Sequence, residues 1–196
     1  MEKQKYSIGL DVSTSIVGMS LFLDNKLQKL KHVDLTKTKC MFDKSKKFEE
    51  DFISLILKDI LDNEALIDNI YIEDTLQSFS RGMSSARTLM QLARFNGIVS
   101  NIVFRITKVK PVFINVNTAR KSLGIKIDKN SDKDKKEQIM EWVDKDLGGY
   151  NWATKIISRG PNKGRVKFEK FCYDISDAYV ICKAGIIINE QSTESD

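Results

Sequence analysis

Histidine is almost missing from this chain, with His32 alone among 196 residues, and cysteine is scarce, with thiols only at positions 40, 172 and 182. No close cluster of soft ligands can form from such a set, which excludes most zinc sites built from several histidines or cysteines, and a histidine-dependent catalytic triad is excluded with them. An odd number of widely spaced thiols in a lysine-rich chain points to a reducing cytosol and to cysteines used for packing. Proline and glycine are also few, at 2 and 10 residues, so the composition is that of a folded domain and not of a linker or a collagen-like repeat. No apolar run approaches the roughly 20 residues that span a bilayer, and Met1 to Tyr6 is polar, unlike a secretory leader. What remains is a chain of single-domain length with 32 basic against 27 acidic residues, a net charge of +5, and carboxylates as its main chemical resource.

The order of elements reads as follows. Tyr6 to Asp11 is a strand, Ile16 to Leu23 a second after the polar turn Ser13 to Ser15, and Lys26 to Val33 a third after Asp24-Asn25, together an antiparallel meander. Lys44 to Leu61 repeats apolar residues near the 3.6-residue period and predicts a helix. Ile70 to Asp74 is β-branched and short, a strand. A polar loop, Gln77 to Ser85, leads to a helix from about Ala86 to Phe104, followed by a short strand at Val112 to Asn115. A short helix over Asn117 to Gly124 comes next, then one capped by Ser131 or Asp132 and running to about Lys145, and a last helix over Ile175 to Asn189. A mixed sheet with helical crossovers, an α/β fold, is expected over residues 1–190 as a single unit, with a polar tail at 191–196. The stretch Gly148 to Lys170 carries six basic residues against the single acid Glu169 and reads as a basic insertion.

Asp11 stands at the end of its strand beside a hydroxyl-rich turn, where it can cap the turn or face a ligand. Glu73 and Asp74 end another strand, and since neighbouring strand residues point to opposite faces, only one of them shares a face with Asp11; Glu73 fits if it follows Tyr71. Asp174 and Asp177, three apart, fall on one face near the start of the last helix, as an N-cap with a first-turn acid or as a ligand pair. Should these acids converge, they repel unless a cation lies between them, and an all-oxygen set suits Mg2+ or Mn2+. His32 is expected on the surface or in the hairpin, and Trp142 and Trp152 in packing. In the second long helix, Ala93, Gly97 and Ser100 would let another helix approach closely, within the chain or from a second copy.

Ile8-Gly-Leu-Asp11, Ile70-Tyr-Ile-Glu73 and Tyr173-Asp174-Ile-Ser-Asp177-Ala178 resemble, in order, the acidic motifs of the RuvC-like Holliday junction resolvases, and Asn117-Thr-Ala-Arg120-Lys121 with Lys136-Glu-Gln138-Ile139 resembles that family's basic segment. The resemblance implies a ribonuclease H-like mixed five-stranded sheet with helices on both faces. It also implies a homodimeric endonuclease that resolves four-way DNA junctions by paired hydrolysis of phosphodiesters. Asp11, Glu73, Asp174 and Asp177 would hold two Mg2+ ions, with Mn2+ able to substitute, and Lys136 would stand near the scissile phosphate. Lys121 and Arg120 would contact the DNA backbone or support catalysis. Further DNA contacts are expected from Phe79, Arg81, Lys133, Lys135, Arg159, Lys163, Arg165 and Lys167. The family places an aromatic shortly after its glutamate; here Leu76 stands nearest and Phe79 follows. The long basic insertion fits a phage-type member, which would act in the host cytoplasm. A ribonuclease H acting on hybrids, another branched-DNA nuclease and a non-catalytic junction binder share these features. The first motif also resembles the phosphate hairpin of actin-like ATPases, whose two-lobed folds are much longer.

Overall fold

The computed structural model describes residues 4–58, 60, 66–74, 86–160 and 163–193. Strands β1 (Lys5–Val12), β2 (Ile16–Leu23) and β3 (Lys26–Asp34) form the expected meander. The turn between β2 and β3 places Asp24 and Asn25 at φ 46° and 64°, the two-residue left-handed turn that matches strand twist. Helix α1 (Met41–Phe52) continues through a π turn, Ile53–Leu57, and is followed by β4 (Leu66–Glu73), α2 (Ala86–Thr107), β5 (Val112–Ile114), α3 (Val116–Ser122) and α4 (Lys135–Asp146). A small hairpin of β6 (Thr154–Ile156) and β7 (Val166–Phe168) precedes α5 (Lys170–Thr193). The main sheet has the order β3-β2-β1-β4-β5, antiparallel across the meander and parallel from β1 to β4 and β5. Among the described residues, no helix is long and apolar enough to cross a membrane.

Alternation along β1 separates two layers. Ile8 and Leu10 point into a core with Phe48 and Phe52 of α1 and Phe95 and Val99 of α2. On the other face, Phe22 and Tyr71 pack with Ile139 and Val143 of α4 and Tyr179 and Val180 of α5. Helices therefore cover both faces.

On that second face the β1 and β2 side chains are small. Gly9 is paired with Ser20 and Asp11 with Gly18, and α5 lies directly on them. A Cβ at Gly18 would stand 2.0 Å from the Asp174 carbonyl oxygen, and one at Gly9 would stand 2.4 Å from the Ala178 carbonyl oxygen. The Ser20 hydroxyl donates to that same Ala178 oxygen at 2.9 Å. Further along the helix, a Cβ at Gly185 would meet the Tyr71 ring at 2.4 Å. The smallest residues of the sheet thus set how close, and in which register, the acid-bearing helix sits.

Several boundaries depart from the sequence reading. Helix α4 is capped by Asp134, not by Ser131 or Asp132: its carboxylate accepts from the Glu137 N–H at 2.9 Å, and the Glu137 carboxylate accepts from the Asp134 N–H at 3.1 Å. Helix α5 begins at Lys170, not Ile175, so Asp174 and Asp177 lie in its second and third turns, and its first turn holds no acid. Tertiary contact extends it: Phe171 stacks on His32 at 3.9 Å between ring centroids, and Cys172 is buried. His32 lies in the β2–β3 hairpin, one of its two expected places, and is half-buried there, and burial lowers its pKa. At the other end the helix continues through Thr193, so Gln191 to Thr193 are helical where a polar tail was expected.

Candidate active site

Asp11 and Glu73 end adjacent parallel strands. Gly9 pairs with Tyr71 and Leu10 with Ile72, so Asp11 and Glu73 follow in the same sense on the face that carries Tyr71, and Asp74 turns away. The turn after Asp11 is fixed by the Ser13 hydroxyl, which donates to the Ile16 carbonyl at 2.7 Å and accepts from the Ile16 N–H at 3.0 Å. Lys44 of α1 donates to the Thr14 carbonyl. Behind Glu73, the buried Asn96 of α2 donates to the Glu73 carbonyl at 3.0 Å, and the Asp74 N–H donates to the Ile114 carbonyl at 3.0 Å. Asp174 and Asp177 come down from α5 onto this strand-end corner, at the height set by Gly18.

Electrostatics show that the four acids share one environment. Burial, then Glu73, Asp177 and Asp174, hold the Asp11 carboxyl well above the usual aspartate range. Glu73 is pushed up to about 7 by burial and by Asp177, against the opposing pull of Arg120, a hydrogen bond with Asp11, and Lys136. Burial raises Asp174 to about 6, with Lys136 opposing and Asp177 adding to the rise. Asp177 is raised by burial and pulled back by Lys136, Arg120 and Lys135. One Asp174 oxygen, Oδ2, is buried with no hydrogen-bond partner.

Of the basic residues singled out in the sequence, Lys136 belongs to this site, since it acts on all four carboxyls. It stands in the first turn of α4, which is tied to α5 where the Tyr179 hydroxyl and the Lys183 ammonium both donate to Asp146. Arg120 enters from α3, whose first turn is capped by the Asn115 side chain accepting from Asn117 N–H at 2.9 Å. Its Nε is buried without a partner beside Glu73 and Asp177. Lys135, read as a DNA contact, also faces the carboxylates. Lys170, which the sequence reading passed over, acts on Asp174 from the start of α5. Lys133 is drawn into an ion pair with Glu141 instead. Lys121 lines a groove of about 640 Å³ beside the site, together with Arg120, Lys135 and two lysines sequence reasoning missed, Lys126 and Lys129; no acid lines it. Arg159, Lys163, Arg165 and Lys167 are exposed on the β6–β7 hairpin and its turn, away from the carboxylates. Phe79, Arg81 and Leu76 lie outside the described residues.

Among the described residues no group of three or more histidines, cysteines, aspartates or glutamates is placed so as to hold a metal ion as it stands. The donor chemistry nonetheless fits a hard divalent cation: the set offers oxygens only, the acids disfavour one another's ionisation, and Asp174 Oδ2 is unpartnered. Asp11, Glu73, Asp174 and Asp177 are the residues that would have to hold one.

A pH dependence of stability follows. Folded-state values of about 6 for Asp174 and about 7 for Glu73 exceed those of an unfolded chain, so protonation favours the fold. That stabilisation is complete below about pH 4 and is lost as pH rises through 6 to 7. In metal-free buffer the thermal midpoint should fall between about pH 5 and pH 8, and in Asp174→Asn it should fall less. An identical slope in the two proteins would show that Asp174 is not strained by its neighbours.

No family model matches the chain, and no curated protein does. Solved structures do. The chain is similar to Thermus thermophilus RuvC in complex with a Holliday junction substrate, with a TM-score of 0.61 at 12% identity over 96% of this chain and 97% of that one. A second Thermus thermophilus RuvC structure gives 0.57 at 14% identity, covering 96% and 97%. The yeast mitochondrial Holliday junction resolvase Ydc2 gives 0.56 at 12% identity, covering 96% of this chain and 80% of that one. The fold is the ribonuclease H-like α/β fold of these RuvC structures.

Proposed function

We propose that this protein is a divalent-metal-dependent endonuclease that resolves four-way DNA junctions. The observation that carries the reading is the meeting of Asp11, Glu73, Asp174 and Asp177, from three separated segments, in one electrostatically coupled corner with Lys136. The likeness to solved Holliday junction resolvases supports it.

Asp11, whose carboxyl feels the other three acids, would hold the Mg2+ ions together with Glu73, Asp174 and Asp177. Bound there, such ions supply an activated water and stabilise the leaving oxygen of a phosphodiester. The protein's own groups do the rest. Lys136 neutralises the acids and presents an ammonium to a phosphate. Arg120, Lys121 and Lys135 line the acid-free groove where a DNA backbone offsets their charge. Asn96 and the Ser13 turn hold the two strand ends against movement as charge develops.

Paired cleavage needs two sites, which a symmetric dimer supplies. The outer face of α2 supports this: Gly97 opens onto empty space, and Met90 and Phe104 are 56% and 47% exposed.

The test compares a four-way junction, a linear duplex and an RNA–DNA hybrid, with and without Mg2+, read at nucleotide resolution. Paired nicks across the junction are expected in Mg2+ only. Preferential hybrid cleavage would replace this reading with a ribonuclease H, and tight junction binding without cleavage in Mg2+ or Mn2+ would make the protein a junction binder. Lys136→Ala should slow cleavage about 10²-fold with little change in affinity, and Lys136→Arg should recover part of the rate; weakened binding with an unchanged rate would remove Lys136 from the chemistry.

A further inference from the structure

The basic segment before α5 folds into a feature that charge alone does not explain. Strands β6 and β7 pair antiparallel, Thr154 with Phe168, Lys155 with Lys167, and Ile156 with Val166. The ladder continues outward, with Ile157 N–H donating to the Arg165 carbonyl at 2.9 Å and Gly164 N–H to the Ile157 carbonyl at 2.8 Å. At its base, Glu169 N–H donates to the Ala153 carbonyl at 2.9 Å, and Lys155 pairs with Glu169 at 2.6 Å. The hairpin is thereby rooted at the start of the helix that carries Asp174 and Asp177.

Strand alternation gives this ribbon two unlike faces. Ile156 and Val166, directly opposite each other, are 69% and 65% exposed. Lys167 and Arg165 share the opposite face with the Glu169-paired Lys155 and with Ile157, and Arg159 and Lys163 stand toward the turn; none of Arg159, Lys163, Arg165 and Lys167 forms an ion pair among the described residues. Cross-strand contact between Ile156 and Val166 supports the ladder, yet most of both side chains stays bare to solvent, an apolar surface that phosphate binding alone does not call for. An exposed apolar pair on one face and unpaired Arg165 and Lys167 on the other match a polyanion that can expose an apolar surface, which is nucleic acid with its base stack opened.

We propose that the β6–β7 hairpin is a wedge for branched DNA, with Ile156 and Val166 packed on the base pair at the branch point and Arg165 and Lys167 holding the phosphates of the strand turned aside. The proposal rests on the branched-DNA reading above and adds to it the element that opens the branch.

The experiment uses the full chain, without divalent cation, and a four-way junction carrying 2-aminopurine at the branch point. Wild-type protein should raise the fluorescence as the base unstacks. The Ile156→Ser/Val166→Ser variant should lose most of that rise, and in Mg2+ cut about tenfold more slowly. Arg165→Gln/Lys167→Gln should keep the rise at saturating protein while lowering the salt slope of binding by about 2. Both pairs are exposed, so circular dichroism should stay unchanged. Wild-type binding with an undiminished rise in the serine variant overturns the wedge and leaves the nuclease reading standing. A lower solution mass for the serine variant also overturns it, because the apolar face would then join two copies of the chain. Wild-type protein with no affinity for the junction overturns both readings.

Discussion

Asp11→Asn should bind a four-way junction and fail to cut it, with the rate down by about 10³-fold or more. Asparagine keeps the size of the side chain and removes the charge on which the other three acids converge. Phosphate loses a repelling neighbour, so affinity should hold or rise. The metal-free protein should also become more stable, because a buried carboxylate flanked by Glu73, Asp177 and Asp174 is costly to ionise. A gain of about 1 kcal/mol would raise the thermal midpoint by about 2–4 °C in a chain of this size. Millimolar Mg2+ should stabilise the wild type and not the variant, since ligand binding to the folded state alone raises its stability. Cleavage at the wild-type rate by Asp11→Asn would remove the site; a variant that is inactive yet less stable without metal would show that Asp11 serves the fold and not a cation.

Gly18→Ala adds one methyl group whose nearest neighbours are backbone atoms, and it should nonetheless cost both stability and activity. Its Cβ falls 2.0 Å from the carbonyl oxygen and 2.4 Å from the carbonyl carbon of Asp174 itself. Those are backbone atoms of α5 that no rotamer change can move, so the helix must lift or tilt. Overpacking of this kind costs about 1–3 kcal/mol, and the displacement acts on Asp174 and Asp177 together. Cleavage should fall about 10²-fold or more, since small misplacement of catalytic groups is expensive. Gly9→Ala, with its Cβ 2.4 Å from the Ala178 carbonyl and 2.5 Å from Cys182 Cβ, should behave alike. Wild-type activity and thermal midpoint in both variants would show that the contact between sheet and helix does not set the site.

Much of this was legible in the chain. The strand at Tyr6 to Asp11 follows from alternation of large apolar and small or polar residues and that at Ile70 to Asp74 from its β-branched residues, and period-two alternation favours Glu73 over Asp74 once Tyr71 has a side, which the pairing of Gly9 with Tyr71 provides. The last helix was clear, its start was not: Lys170 to Tyr173 become helical because Phe171 stacks on His32 and Cys172 is buried, contacts made across the fold. The β6–β7 hairpin escaped notice because strands of three residues are too short to show a period. Lys135 and Lys170 resemble any surface lysine in sequence and differ only in facing the acids. Gly9, Gly18 and Ser20 did offer a signal, small side chains alternating with large apolar ones on neighbouring strands, which marks a face that something approaches closely.

The scarcity of histidine and cysteine by itself narrowed the ligands this protein can offer, because ligand type is a property of residues and not of their arrangement: a metal site here would have to be built from oxygens. Sequence also determined which strand ends carry acids, since alternation is local. Only the tertiary structure decided that those acids meet. The height of α5 over β1 and β2 is fixed by contacts between residues some 160 positions apart, such as Ser20 with Ala178, and no local pattern encodes a distance between elements that are brought together only by burying the same core.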